Sequence, residues 1–320
     1  MQPCTKNIRF WPCLQVNLNL YHWVMQQVNA VFVTGATGNV GRQVVDGLLA
    51  KGVPVRALSR NPDSAGFAPE VELVRGDLEN KPEWFERTLD GVEAVFLMIR
   101  SPATEAAARF VEVAAKRAHR IVFLSSSAVQ DGVDHSTNPI ARMHAEVESI
   151  LAGSGLTWTF LRPGGFATNA RTWWASQIRS SDVVRWPFGR ACSAPIHEAD
   201  IASVAVHALT EDGHGGAKYH LTGPQSLTLS QQVQAIGDAI GRSLRFEEIA
   251  PETARVQLSK VMPPQIIDML LGVWANTLNI PSPVTQTVAK ITGSPARPFH
   301  DWAMEHASEF ERQAVMEGSL

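Results

Sequence analysis

The stretch VFVTGATGNVGRQVV, residues 31–45, joins an apolar β-branched run to an amphipathic helical pattern through Gly35, Gly38 and Gly41. Each glycine has a mechanical role. Gly35 permits the tight turn out of a strand, Gly38 lets the backbone approach a pyrophosphate, and Gly41 allows the helix to pack closely on the sheet. With Thr37, Asn39 and Val40 between and beside them, these residues put unpaired backbone N–H groups and the positive end of a helix dipole in front of a phosphate. Glycine turns are common and can be purely structural. Strand, triplet and helix in this order point instead to a dinucleotide site.

Outward from this segment the chain alternates short β-branched runs with helical patterns: VPVRALS, VELVRG, VEAVFLM, the helical AAARFVEVAAKRA, then RIVFLSS and LTWTFLR. Nearly continuous apolar strands separated by helices imply an α/β fold, a doubly wound parallel sheet of Rossmann type with ligands at the carboxyl ends of its strands. Past Arg162 the pattern changes to Pro and Gly punctuation, Trp173, Trp174 and Trp186, and segments that read as helices. Thr228 and Gln231 form a capping box for one of them, and Gly241 its stop. The expected organisation is an N-terminal extension over 1–26, disordered by its lack of period, and a dinucleotide-binding domain over 27–165. Residues 190–223 return to that domain, and 166–320 form a smaller, mainly helical substrate or lid region.

Composition narrows the function classes. The 320 residues are 45% hydrophobic and 18% charged, with 28 basic against 31 acidic residues and no basic run, which excludes disorder and the electrostatic footprint of a nucleic-acid binder. Three cysteines, Cys4, Cys13 and Cys192, are too scattered for a disulfide framework or a zinc site, and the histidines lack ligand spacing, so no metal is expected. No apolar run reaches the roughly 18 residues of a membrane span. The expected compartment is the cytoplasm.

Cofactor choice turns on the end of the second strand, where NAD-preferring sites carry an acid. Here stand Ser59 and Arg60 with no carboxylate, and Arg60 suits a 2′-phosphate through charge-assisted hydrogen bonds. NADP(H) is expected over NAD(H), with a solvated surface arginine as the other reading of Arg60.

Taken together, TGATGNVG, the SRNP turn at 59–62, GDL at 76–78, FLSSS at 123–127, HAEVESILAGSGLTWTFLRPGGF at 144–166 and IHEADIA at 196–202 resemble the NmrA-like branch of the atypical short-chain dehydrogenase/reductase superfamily. The resemblance implies that Asp77 and Leu78 flank the adenine, that Met98 and Ile99 line the cofactor after the fourth strand, and that Pro163 to Phe166 close over the nicotinamide. A turn or cap role is also open to Asp77.

The superfamily's catalytic Tyr and Lys, four residues apart, are missing. The two tyrosines, Tyr21 and Tyr219, are followed at that spacing by Met25 and Gly223, and the expected places hold Ile140 and His144, counting from Ser126 at the superfamily's serine position. His144 is therefore the candidate acid/base or ribose ligand, or else a satisfied helix residue. Ser125 and Ser126 suit the nicotinamide end or a substrate carbonyl, or simply end a strand. Asp200 reads as a helix N-cap, and His197 as a residue that faces the pocket or the core. Trp173 and Trp174 read as a substrate wall or as lid packing.

Two functions follow. One is an NADPH-dependent oxidoreductase for a small carbonyl, quinone or enone. The other is a non-catalytic NADP(H) redox sensor with a regulatory protein partner. Oligomeric state is left open.

Overall fold

The computed structural model describes residues 30–78, 83–99 and 104–312, so the expectation for 1–26 lies outside the described residues. Along the chain, β1 (Ala30–Val33) leads into α1 (Asn39–Ala50), β2 (Val55–Ser59), β3 (Glu72–Arg75), α2 (Glu83–Thr88), β4 (Val92–Leu97), α3 (Thr104–Ala114), β5 (Arg120–Leu124), α4 (Pro139–Ala152) and β6 (Thr157–Pro163). Then come α5 (Asn169–Ser180), β7 (Val183–Trp186), β8 (Cys192–Ser193), α6 (Glu198–Thr210), β9 (Ala217–Leu221), β10 (Leu227–Thr228) and α7 (Leu229–Ala239). β11 (Arg245–Glu248) and the helices α8 (Pro251–Leu258), α9 (Pro264–Asn276), α10 (Thr287–Thr292) and α11 (Phe299–Glu305) complete the described chain.

Seven strands make one sheet in the order β3-β2-β1-β4-β5-β6-β9, with every neighbouring pair parallel. Strand periodicity sorts its faces. Val31 and Val33 of β1 join Val44, Val45 and Leu48 of α1 and Val204 of α6 in one buried layer. Phe32 points the other way, into a layer with Phe110 of α3 and with Val147 and Leu151 of α4. The fold is thus doubly wound, as the apolar strands imply. On the first face α1 and α6 lie so close that a Cβ on Gly47 would stand 3.0 Å from Val206 Cγ2.

A third apolar cluster fills the C-terminal lobe, with Trp174, Trp302 and Phe310 completely buried. Trp173, Trp174, Trp186 and Trp274 pack on one another there, the Trp173 and Trp274 rings edge to face at 5.3 Å. Trp174 is therefore core rather than substrate wall.

The mainly helical region past Arg162 also carries short strands that its sequence did not reveal. β7 pairs with β11 in parallel and β8 with β10 antiparallel, while β9, within the 190–223 stretch expected to return to the dinucleotide-binding domain, adds the seventh strand to the main sheet. VVRW and RFEE are four residues each, too short for a period to register, and their pairing is supplied by the tertiary structure. Asp200 is corrected as well. The N-cap of α6 is His197, whose Nδ1 accepts from Ala199 N at 3.1 Å. Asp200 lies inside the first turn, its carboxylate held by the backbone N–H and guanidinium of Arg297. The capping box is present, with Thr228 Oγ1 accepting from Gln231 N and Gln231 Oε1 from Thr228 N.

Candidate functional site

A cavity of about 610 Å³ opens at the carboxyl ends of β1, β2, β3 and β4, where the strand order reverses between β1 and β4. Ligands of open α/β sheets bind at this switch point. Gly35, Thr37 and Gly38 line it from the loop after β1, Ser59 and Arg60 from the end of β2, Asp77 and Leu78 from the loop after β3, and Met98 and Ile99 from the loop after β4. Its volume falls in the ~300–1,000 Å³ range of small-molecule and cofactor sites.

The glycine loop is shaped as the sequence demands. Gly35 has φ +60, and a Cβ there would meet Met98 Cε at 2.3 Å. A Cβ on Gly41 would stand 2.2 Å from the Gly35 carbonyl oxygen, so only glycine lets α1 start so near the turn. Gly38 is less crowded, its nearest neighbour being the Gly35 oxygen at 3.2 Å. It serves as N-cap of α1 without a side-chain bond, and the first turn carries no acid. Among the described residues, the N–H groups of Asn39, Val40 and Gly41 meet no acceptor. Asn39, Val40 and Gly41 stand outside the cavity wall; Val40 is in the core and Asn39 Oδ1 accepts from Arg171.

Two residues here escaped the sequence reading. Thr34, wholly buried, accepts from Met98 N at 2.7 Å and donates to the Phe96 or Met98 carbonyl, fixing the β4 loop against the glycine turn. Arg75 is the register partner of Ser59 and reaches the Arg60 carbonyl oxygen at 3.4 Å while pairing with Asp63 at 2.6 Å. A strand register was needed to put it there. Arg60 is exposed and, among the described residues, has no carboxylate within salt-bridge distance. Ser59 Oγ accepts from Asn61 N at 3.1 Å and shapes the turn.

The candidates from β5 onward lie outside this cavity. Ser125 Oγ donates to Glu148 Oε1 at 2.6 Å in the buried interior. Glu148 in turn holds Arg162, which donates from Nε to Oε1 at 3.0 Å and from Nη2 to Oε2 at 2.6 Å. Arg162 continues to Asp131, which also takes Lys218 at 2.7 Å. Hydrogen bonds from Lys218 and Arg162 lower the Asp131 pKa to about 2. The pattern LRPG did not betray this pair, since neither spacing nor period links Glu148 of α4 to Arg162 of β6.

Ser126 is half-buried, and its Oγ accepts from Ala128 N at 3.2 Å, which leaves the hydroxyl hydrogen to donate elsewhere. His144 is half-buried beside Phe123, its Nδ1–H directed to the Ile140 carbonyl at 2.8 Å. Burial lowers its pKa, against the Ile140 bond and the Glu148 charge, so the imidazole is neutral with Nε2 as an acceptor. Pro163 ends β6, and its carbonyl receives Ser127 N. Phe166 bridges to Ile196 and packs on the sheet's first core layer. His197 is buried and occupied by its cap and by Glu305 at 3.2 Å. Tyr219, within β9, shares a bond with His214 Nδ1 at 2.8 Å, and burial raises its pKa.

An open helix terminus, a glycine turn in which a Cβ on Gly35 or Gly41 would clash, and at the end of β2 an arginine with no carboxylate beside it among the described residues fit a nicotinamide dinucleotide, and define a dinucleotide-binding α/β protein. The family model described as NAD(P)H-binding matches residues 35–212. The chain is 39% identical over 283 residues to a (4-alkanoyl-5-oxo-2,5-dihydrofuran-3-yl)methyl phosphate reductase of Streptomyces griseus, covering 88% of this chain and 99% of the relative. It is 33% identical to an NAD(P)H azoreductase of Xenophilus azovorans, covering 88% and 99%. Among solved structures, the NADPH complex of an NADPH-dependent quinone oxidoreductase of Escherichia coli superposes with TM-score 0.71 at 25% identity, covering 86% of this chain and 99% of that one. The chain belongs to the NAD(P)H-binding family, in the NmrA-like, atypical short-chain dehydrogenase/reductase group, and it is an oxidoreductase. No helix among the described residues is long and apolar enough to cross a membrane.

Proposed function

We propose that this oxidoreductase uses NADPH to reduce a small conjugated acceptor, a quinone or an enone. The observation that carries the cofactor half is the free Arg60 guanidinium at the lip of the ≈ 610 Å³ cavity, where an NAD site would carry an acid. NADPH, when bound, supplies the hydride. Gly35, Thr37 and Gly38 with the open first turn of α1 would hold its pyrophosphate, Arg60 its 2′-phosphate, Asp77 and Leu78 its adenine. Met98 and Ile99 would line its path toward the nicotinamide, which Ser126, Pro163 and Phe166 would flank.

The acceptor class follows from what this end of the site lacks. Tyr219 is bound to His214, Lys218 to Asp131, and burial lowers the His144 pKa, so among the described residues no strong acid is poised for transfer to a simple alkoxide. A quinone or enone delocalises the charge left by hydride addition and needs only a hydrogen-bond donor and water. Ser126, with its hydroxyl hydrogen uncommitted, suits that donor role. The names of the relatives, a quinone oxidoreductase, an azoreductase and an unsaturated furanone phosphate reductase, agree with such acceptors. Stopped-flow loss of NADPH absorbance tests this with quinones, enones and unconjugated aldehydes side by side. Turnover confined to the conjugated acceptors is expected. Faster turnover of aldehydes would overturn the acceptor class, and binding without turnover on any acceptor would leave the redox sensor.

A further inference from the structure

We infer that Arg171 is a pyrophosphate-binding residue of the dinucleotide site, supplied to it by the C-terminal lobe. The inference rests on the NADPH reading above and adds a residue that the glycine loop does not contain. Arg171 lies in the first turn of α5 and donates from Nη2 to Asn39 Oδ1 at 3.1 Å, while Nη1 pairs with Glu309 Oε1 at 3.2 Å. Among the described residues this is the one side-chain hydrogen bond that joins the C-terminal lobe to the glycine loop.

Its position is electrostatically unusual. Asn39 opens α1, where the N–H groups of the first turn are unpaired and the helix dipole is positive. No acidic side chain in that turn offsets a cation brought there. A guanidinium at this end raises the local potential unless an anion sits between them, and a pyrophosphate carries the required charge. Among the described residues the one carboxylate in contact is that of Glu309, whose Oε1 also takes His306 Nδ1 at 2.9 Å. Arg171 uses two of its five N–H donors in these bonds, which leaves the fork with capacity for phosphate oxygens.

The loop's own arginine is committed elsewhere. Arg42 donates to the carbonyls of Ala65 and Gly66 and lies 4.4 Å from the Phe67 ring centroid. Among the described residues, Arg171 is then a cation at the start of α1 with donors to spare for the pyrophosphate, as Arg60 is at the end of β2 for the 2′-phosphate. Because Arg171 belongs to the C-terminal lobe, the bound cofactor would tie the two lobes together.

The test titrates the full chain by calorimetry with NADPH and with adenosine 2′-phosphate, which has no pyrophosphate. Arg171→Ala should weaken NADPH about ten-fold or more and leave adenosine 2′-phosphate within about two-fold. Arg171→Gln, which can keep the bond to Asn39 without the charge, should show the same split and serves if the alanine variant is unstable. Arg171→Lys should recover part of the loss. Glu309→Gln frees the guanidinium without removing it and should hold or tighten NADPH binding. Unchanged NADPH affinity in the Arg171 variants, an equal loss for both ligands, or a Glu309→Gln loss matching Arg171→Ala would overturn the inference and reduce Arg171 to a strap between lobes. Failure of the cofactor reading looks different: wild-type protein would bind neither ligand, or Gly38→Val would leave NADPH binding intact.

Discussion

The two halves of the sheet's carboxyl edge treat their polar groups in opposite ways. Around β1 and β2 some are left open among the described residues: unpaired N–H groups at the start of α1, and Arg60 without a carboxylate. Around β5 and β6 they are consumed internally, with Ser125 on Glu148, Glu148 on Arg162, and Arg162 and Lys218 on Asp131. Polar groups that a fold leaves unsatisfied near a cavity are offers to a ligand, and those it satisfies in the interior are scaffold. On this contrast we propose that the first half binds, and that the second half positions the backbone from which Ser126, Pro163 and Phe166 project.

The sharpest way to break the contrast is to open the closed half. Glu148 and the Arg162 side chain are almost fully buried, so Glu148→Ala should strand a guanidinium at a cost of roughly 3–5 kcal/mol in chemical denaturation. Glu148→Leu with Arg162→Met should regain most of it. A single variant as stable as wild type would show that the pair is not scaffold. In the open half the corresponding lesion is Gly38→Val. Its Cβ meets only the Gly35 oxygen at 3.2 Å, so the fold should survive while NADPH affinity falls by about a hundred-fold or more, measured by calorimetry. Undiminished affinity in a folded variant would remove the glycine loop from the site.

Smaller is the effect expected of Arg60→Ala, about ten-fold on NADPH with NADH nearly unchanged. Equal losses for both cofactors would assign Arg60 another task. Asp131 gives an acid test of the closed half. Its folded pKa is depressed to about 2 from 3.8, so its contribution is present above pH 3.8 and is lost as pH falls toward about 2. Asp131 is largely exposed and screened, so Asp131→Asn should change the melting temperature by only about 1–3 °C above that window and flatten its slope within it. An unaltered slope would mean that another carboxylate carries the acid dependence.

The same contrast explains which parts were legible in the sequence. The open half is written locally: strand, glycine triplet, helix and the SRNP turn lie within one stretch, and Gly38 and Gly41 both answer to the Gly35 carbonyl a few residues away. The closed half is written in pairs distant in sequence. Glu148 and Arg162 are on different elements, Lys218 reaches Asp131 from β9, and Thr34 reaches Met98 across the sheet. No period or spacing relates such residues, so Ser125 read as a ligand of the nicotinamide end or a substrate carbonyl, or as a strand end, and Asp200 as a cap. β7 and β11 were invisible for the same reason, being strands only because each has the other beside it.

His144 lies on the border between the halves and should show the least effect. It occupies the superfamily's lysine place, which made it the candidate proton donor. Its Nδ1–H is spent on Ile140, and burial lowers its pKa, so near neutral pH it has no second proton to give. A neutral Nε2 can accept a bond from a ribose hydroxyl or water and little more. His144→Ala should therefore lower turnover by no more than about three-fold, with a comparable weakening of NADPH, and leave the pH profile of turnover unchanged in shape. The sign matters here, because an acid with a lowered pKa loses its proton as pH rises and would impose a falling limb below neutrality. A hundred-fold loss of turnover together with disappearance of such a limb would return His144 to proton transfer, and would place catalytic chemistry in the half of the site where the structure leaves the fewest groups free.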